Sequence, residues 1–304
     1  MNWMNHDTYL EIEPPKEFNY SECLLFLNRS NQEILHHINE GSLCKLLKVS
    51  EQPILCVLSK QANKLKVDFP MDQPSVNERA IIVQYITEWF DLKKDLHDYY
   101  KMAEKDQILQ PLTKKYRGLR LIGIPDFFEA LVWAIIGQQI NLTFAYTLKK
   151  RFVERFGENV TFKGQSYWLF PTPEKIATLQ VDDLRALKFT RRKSEYIIDI
   201  AKNITNGQLT KDLLRQKDDY QAMKKSLMAI RGIGAWTADY VLMKCLQEPS
   251  AFPIADVGLH NALKTQLLLD RKPTIEEMNV YAKHWQGWQA YATFYLWRSL
   301  YETV

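Results

Sequence analysis

The sequence predicts an α+β N-terminal domain, residues 1–105, followed by a mostly α-helical domain, residues 106–304. Three observations predict this division. Up to Pro74, short strand-like segments are separated by polar turns. From Asn77 onward, apolar residues recur at helical spacing. Capping residues, prolines and glycines then punctuate the chain at helix-sized intervals.

Thr8-Tyr9-Leu10-Glu11-Ile12 alternates like an edge strand and ends at Pro14-Pro15. Phe18 to Asn28 reads as a short helix started near Asn19 or Ser21. Gly41–Lys48, Ile54–Ser59 and Leu65–Phe69 read as strands, and Pro70 to Pro74 ends the region. Ile81, Ile82, Tyr85, Ile86, Trp89 and Phe90 keep helical spacing. Asp126 can cap a helix through Leu131, Trp133 and Ile136, and Asn141 or Thr143 can cap the next, which ends at Gly157. Pro171-Thr172-Pro173-Glu174 opens another helix with proline in its first turn. Arg191–Asn206 is a further helix stopped by Gly207, and Glu276–Tyr301 reads as two helices broken near Gly287. No internal repeat is present.

Hydrophobic residues make up 46% and charged residues 25%, the balance of a folded soluble chain, which argues against disorder. No apolar run approaches the ~20 residues of a membrane-spanning helix. The N-terminus lacks a basic stretch followed by an apolar one, so it is not read as a secretory signal, and the chain is read as cytoplasmic. The net charge of +4 suits a polyanionic partner without requiring one. Cys23, Cys44, Cys56 and Cys245 form no CxxC pair, and the six histidines show no ligand-like spacing. The cysteines are read as buried free thiols, and no metal site is expected.

The most informative stretch runs from Met223 to Met243, MKKSLMAIRGIGAWTADYVLM. Leu227 and Ile230 keep helical spacing, Gly232-Ile233-Gly234 breaks it, and helical character resumes at Ala235. Glycines open backbone angles closed to other residues and leave their amides unshielded. Together with the N-terminus of the second helix they make a concave donor site suited to a phosphate oxygen. Thr237 can add a hydroxyl contact. The glycines alone would equally serve a tight turn between packed helices.

The whole segment resembles the helix-hairpin-helix of the DNA glycosylase superfamily. The resemblance extends to Phe252-Pro253-Ile254-Ala255-Asp256-Val257-Gly258-Leu259, which is similar to that family's Pro-containing loop ending in aspartate. Two further blocks, Glu129–Gln139 and Trp285–Ala292 leading to Trp297, are most similar to the branch of the bacterial type II DNA-3-methyladenine glycosylases. The matches run from about Pro125 to Tyr301. The N-terminal region resembles the family's small β-rich domain only in outline. This resemblance implies a helix-hairpin-helix glycosylase domain made of two helical subdomains with the active-site cleft between them. It implies a monomeric enzyme acting on double-stranded DNA that contains damaged bases.

Removing a damaged base breaks the N-glycosidic bond while positive charge builds on the sugar. A fixed carboxylate facing that charge stabilises the transition state and can polarise a water. The resemblance places Asp256 in that catalytic position; an aspartate there also suits an N-cap for a helix starting near Val257, and the two roles are compatible. Flipping a base from the duplex costs a few kcal/mol. Alkylation at ring nitrogens makes purines cationic, so they stack well on electron-rich rings, by roughly 0.5–2 kcal/mol per contact. The resemblance implies Trp236, Tyr240 and Trp297 as substrate-binding residues; aromatic residues at helical spacing also form core. It assigns DNA contacts to Gly232, Gly234, Thr237, Gln138 and Gln139, the glutamines lying where relatives insert a wedge into the gap left by the flipped base. Many relatives use an apolar wedge, so Gln139 departs from the pattern and serves equally as a cap or a solvent-facing residue. Arg231 stands where proline is common, adding a positive charge near the expected phosphate.

Two absences narrow the reaction. Bifunctional relatives carry a lysine nucleophile two positions after the second hairpin glycine; here that position is Trp236, which implies base excision without strand cleavage. No cysteine follows Cys245, so the iron–sulfur cluster of the endonuclease III branch is not expected. No cofactor is expected, although a hairpin carbonyl can hold a monovalent cation. The alternatives are an oxidised-purine glycosylase of the same fold, or a non-catalytic helix-hairpin-helix DNA-binding protein.

Overall fold

A computed structural model describes residues 1–301. The N-terminal part is an antiparallel sheet of β1 (Trp3–Asn5), β2 (Tyr9–Ile12), β3 (His37–Asn39), β4 (Ser42–Val49), β5 (Gln52–Gln61) and β6 (Lys64–Asp68), in the order β1-β2-β6-β5-β4-β3. The expectation that Tyr9–Ile12 is an edge strand is corrected. Trp3–Asn5 pairs outside it, Trp3 opposite Ile12, so β2 lies inside the sheet and Leu10 and Ile12 are fully buried. A three-residue strand carries too little periodicity to be read from sequence, and β3 escaped for the same reason.

The turn between β4 and β5 places Ser50 and Glu51 at φ 48° and 67°. Positive φ at both central residues matches the right-handed twist of the flanking strands. β4 is nearly continuous in apolar residues because both of its faces are covered. Leu43, Leu47 and Val49 enter the main core, whereas Cys44 and Leu46 pack with Tyr167 and Leu169. Tyr167 belongs to a second hairpin, β7 (Asn159–Phe162) with β8 (Gln165–Trp168), which the sequence reading did not separate from its loop.

The helices follow their caps. α1 (Tyr20–Leu27) is capped by Asn19 rather than Ser21, and α2 (Val76–Trp89) by a Ser75–Glu78 capping box. α3 (His97–Ala103) and α4 (Leu109–Lys115) are seven residues each, too short to stand out by periodicity. The boundary drawn at residue 105 falls between them, and the apolar core runs across it. Tyr99 of α3 packs its ring against Tyr291 and Tyr295 near the C-terminus, at centroid distances of 5.4 and 5.3 Å.

α5 (Phe127–Gly137), capped by Asp126, is buried almost all round and forms the axis of the helical part. α6 (Leu142–Phe156) starts at Asn141, not Thr143. α7 (Pro173–Ala177), α8 (Val181–Arg185), α9 (Arg191–Thr205) and α10 (Lys211–Arg215) form one flank. α11 (Tyr220–Met228) and α12 (Ala235–Lys244) form the hairpin, and α12 packs on α5. α13 (Val257–Gln266), α14 (Ile275–Tyr281) and α15 (Gln289–Arg298) complete the other side, with Gly287 at φ +78° in the break between the last two. The four cysteines are buried and unpaired. No helix among the described residues is long and apolar enough to cross a membrane.

Candidate active site

Asp256 is the N-cap of α13, so its helix-capping role is realised. Its Oδ1 accepts the Leu259 amide at 2.8 Å. The same oxygen accepts the indole N–H of Trp297 at 2.9 Å, and Oδ2 accepts that of Trp236 at 3.0 Å. A carboxylate offers about two lone pairs per oxygen. Oδ1 is therefore fully engaged, whereas Oδ2 keeps one acceptor site open. The residue is partly exposed and lines a cleft of about 1440 Å³, so the carboxylate is not sealed inside the fold.

Neighbouring residues hold this arrangement in place. A Cβ on Gly258 would lie 3.0 Å from Asp256 Oδ1 and 3.5 Å from the Trp297 ring, so glycine leaves room for the indole over the carboxylate. His260, one turn along α13, sets its ring nitrogens 2.7 Å from the Ile254 carbonyl oxygen and 2.9 Å from that of Pro273, fixing the loop before Asp256.

Trp236, Tyr240 and Trp297 are brought together as the sequence implied. The rings form a row, 5.5 Å from Trp236 to Tyr240 and 6.0 Å from Tyr240 to Trp297, inclined by 33° and 35°. The two indoles are partly exposed in the cleft; Tyr240, 8% exposed, is core as well as wall. Its hydroxyl accepts the Trp133 indole N–H at 2.8 Å, and burial raises its pKa, so the phenol is neutral.

In the hairpin, Gly232 has φ +92°, and a Cβ there would meet the Tyr196 ring at 2.4 Å. Gly234 is exposed with open space around it, and it caps α12 without any side-chain hydrogen bond. The first-turn amides of α12 thus have no side-chain acceptor, the condition for receiving an anionic oxygen.

One expectation near the hairpin is corrected, and two further residues make contacts that the sequence did not show. Thr237 is 2% exposed and its Oγ1 accepts from Gln138 Nε2 at 2.9 Å, so its hydroxyl faces inward rather than toward a phosphate. Gln138 lines the cleft and also donates to the Gly232 carbonyl at 2.9 Å, which makes it a brace between α5 and the hairpin. Arg231 pairs with Glu195 at 2.6 Å and Asp199 at 3.3 Å and lies over the Tyr196 ring, so its charge is compensated on α9. Gln139, by contrast, stands exposed on the cleft rim at φ +56°.

Sequence reasoning missed several contributors. Lys193 Nζ donates to the Ile136 and Gln138 carbonyls, both at 2.8 Å, closing the end of α5 below Gln139; burial lowers its pKa to about 8. Trp133 sat inside an apolar helix pattern, where an indole reads as core. Arg29, from the loop after α1, reaches the same cleft as Asp256 across more than 200 residues of chain, and no local pattern announces it. The glycine two places after Asp256 was the one readable signal.

Residues 132–289 match the family model of the HhH-GPD superfamily base excision DNA repair protein, and residues 11–131 match that of the 8-oxoguanine DNA glycosylase N-terminal domain. The DNA-3-methyladenine glycosylase of Bacillus subtilis (strain 168) is 45% identical over 304 residues, 99% of this chain and 100% of that protein. The fold is that of the 3-methyladenine DNA-glycosylase from Archaeoglobus fulgidus, with a TM-score of 0.81 at 24% identity, over 94% of this chain and 96% of that one. A Clostridium acetobutylicum 8-oxoguanine glycosylase/lyase, solved with double-stranded DNA, gives 0.77 at 19% identity, over 98% and 97%. The chain belongs to the HhH-GPD superfamily of base excision DNA repair proteins, in one family with the Bacillus DNA-3-methyladenine glycosylase.

Proposed function

We propose that the protein is a monofunctional glycosylase that flips alkylated purines such as 3-methyladenine out of double-stranded DNA and hydrolyses their N-glycosidic bond. The observation that carries this reading is the Asp256 carboxylate, gripped by two cleft-lining indoles and retaining one open acceptor site on Oδ2. The name of the Bacillus relative supports the same substrate class.

In this reading the hairpin amides hold a phosphate and Gln139 enters the gap left by the flipped base. The base stacks against the Trp236–Tyr240–Trp297 row, where a cationic purine gains from the ring faces. The bond between C1′ and the base nitrogen breaks with its electron pair going to the base, and a purine that was cationic leaves neutral. Asp256 Oδ2 faces the positive charge on the sugar and orients a water. The water oxygen bonds to C1′ and its extra proton passes to solvent. Loading of the hairpin with a monovalent cation would add positive charge near the phosphate, and the protein acts as a monomer.

The N-terminal match to 8-oxoguanine glycosylases favours a second reading, excision of an oxidised purine. Against it stands Trp236, whose N–H is committed to Asp256 where a lyase places its amine. Sodium borohydride added during turnover on abasic or alkylated duplex is expected to trap no protein–DNA adduct. A covalent adduct resolved by denaturing electrophoresis would show that an amine attacks the sugar.

A further inference from the structure

The left-handed conformation of Gln139 needs a support, since its side chain gains nothing from standing exposed on the rim. Helices commonly end on a left-handed residue, but it is usually glycine or asparagine, because other side chains are strained there. Lys193 supplies the support. Its one ammonium nitrogen donates to the Ile136 and Gln138 carbonyls, both at 2.8 Å. These are among the last carbonyls of α5, which helix geometry leaves without a partner along the helix. The Gln138 carbonyl belongs to the peptide unit that joins Gln139, so turning it would turn Gln139.

The placement of Lys193 serves no need of its own helix. It follows Arg191 and Arg192 in the first turn of α9, where positive charge meets the positive end of the helix dipole. The residue is buried and pairs with no carboxylate among the described residues. Glu195, two places on, is held by Arg191 and Arg231. A buried cation without an acid is costly, and here the two carbonyls at the negative end of α5 offset that cost. The start of α9 also braces the hairpin: Tyr196 closes on Gly232, and Glu195 and Asp199 hold Arg231. Gln138 links the two sites by donating to the Gly232 carbonyl. The rim residue and the hairpin are thus anchored to one helix end.

We propose that Lys193 is a positioning residue for base flipping: by holding the last carbonyls of α5 it keeps Gln139 in its left-handed conformation at a fixed distance from the hairpin. The side chain of Gln139 then enters the duplex as the phosphate docks. This rests on the reading of Gln139 as the residue that fills the gap left by the flipped base. Without Lys193 the Gln138–Gln139 peptide can turn, and Gln139 relaxes to an unstrained φ. The hairpin still binds the duplex. Gln139 must then be ordered during flipping instead of before it, which slows the step without weakening the encounter.

The test is a double-mutant cycle on a duplex that carries 7-methylguanine beside 2-aminopurine, whose fluorescence rises as the neighbouring base unstacks. Single-turnover excision, the fluorescence rise and affinity are measured for wild type, Lys193→Met, Gln139→Ala and the double variant. Lys193→Met is expected to slow excision and the fluorescence rise by about 10-fold, with affinity within about 2-fold. In the Gln139→Ala background, itself slower than wild type, the same change is expected to cost less than about 2-fold more, because the side chain to be positioned is gone. Lys193→Arg keeps the charge but divides its donors among three nitrogens. It is expected to lose about 3-fold, and it carries the same comparison should Lys193→Met not fold. An unchanged rate in Lys193→Met, equal losses in the two Gln139 backgrounds, or affinity lost together with rate overturns the role of Lys193 alone. Gln139→Ala that flips and excises at the wild-type rate overturns the reading of Gln139 and this inference with it. Wild type that releases no 7-methylguanine overturns the proposed function itself.

Discussion

Asp256→Asn is expected to lower single-turnover excision of an alkylated purine by about 10³-fold while leaving affinity for the same duplex within a few-fold. Asparagine still caps α13, because its carbonyl oxygen can accept the Leu259 amide, so the fold should survive. The negative charge that faces the sugar disappears. The amide also offers one acceptor oxygen where the carboxylate offers two; with that oxygen kept on the Leu259 amide and Trp297, Trp236 loses its partner and its ring is less firmly held. Asp256→Ala removes the cap as well and is expected to cost about 1 kcal/mol more in stability. Quenched-flow kinetics with fluorescence anisotropy for binding separates the two effects. Excision that persists in Asp256→Asn would place the chemistry elsewhere; binding lost along with activity would point to a structural role.

The two hairpin glycines should respond in opposite ways. Gly232→Ala forces an L-residue to φ +92° and drives its Cβ into the Tyr196 ring. Backbone strain of about 1–3 kcal/mol adds to an overpacking cost of similar size. The melting temperature should fall by roughly 5–10 °C for a chain this long. Gly234→Ala meets no atom, so stability should change by less than about 1 kcal/mol. Its methyl group would instead crowd the amides at the start of α12, and affinity for undamaged duplex should drop several-fold with a shallower salt dependence. Calorimetry and salt-titrated binding on both variants check this. Unchanged DNA binding in Gly234→Ala would remove the hairpin amides from the interface.

How much could be read in advance depended on how local each signal was. The hairpin, Asp256 as a cap, the helices after Asp126 and Asn141 and the break at Gly287 all rest on a few adjacent residues, and each was legible. The short strands Trp3–Asn5 and His37–Asn39 were not, because three residues define no period even though each pairs with the strand that follows it. At the site, the aromatic row followed from spacing on α12 plus one resemblance to the C-terminal block. The inward turn of Thr237 and Gln138 was hidden, since their hydrogen bond to each other spans 99 residues. The ion pairs of Arg231 were hidden for a related reason: Glu195 and Asp199, which face it, lie on another helix. Arg29 lay beyond any motif.

The central claim is tested most directly by incubating the protein with DNA treated by a methylating agent and analysing the supernatant by chromatography. Free 3-methyladenine or 7-methylguanine should appear, and the strands should stay intact until alkali cleaves the abasic sites. Methylated DNA that keeps all of its bases, at protein concentrations that saturate binding, would contradict the account.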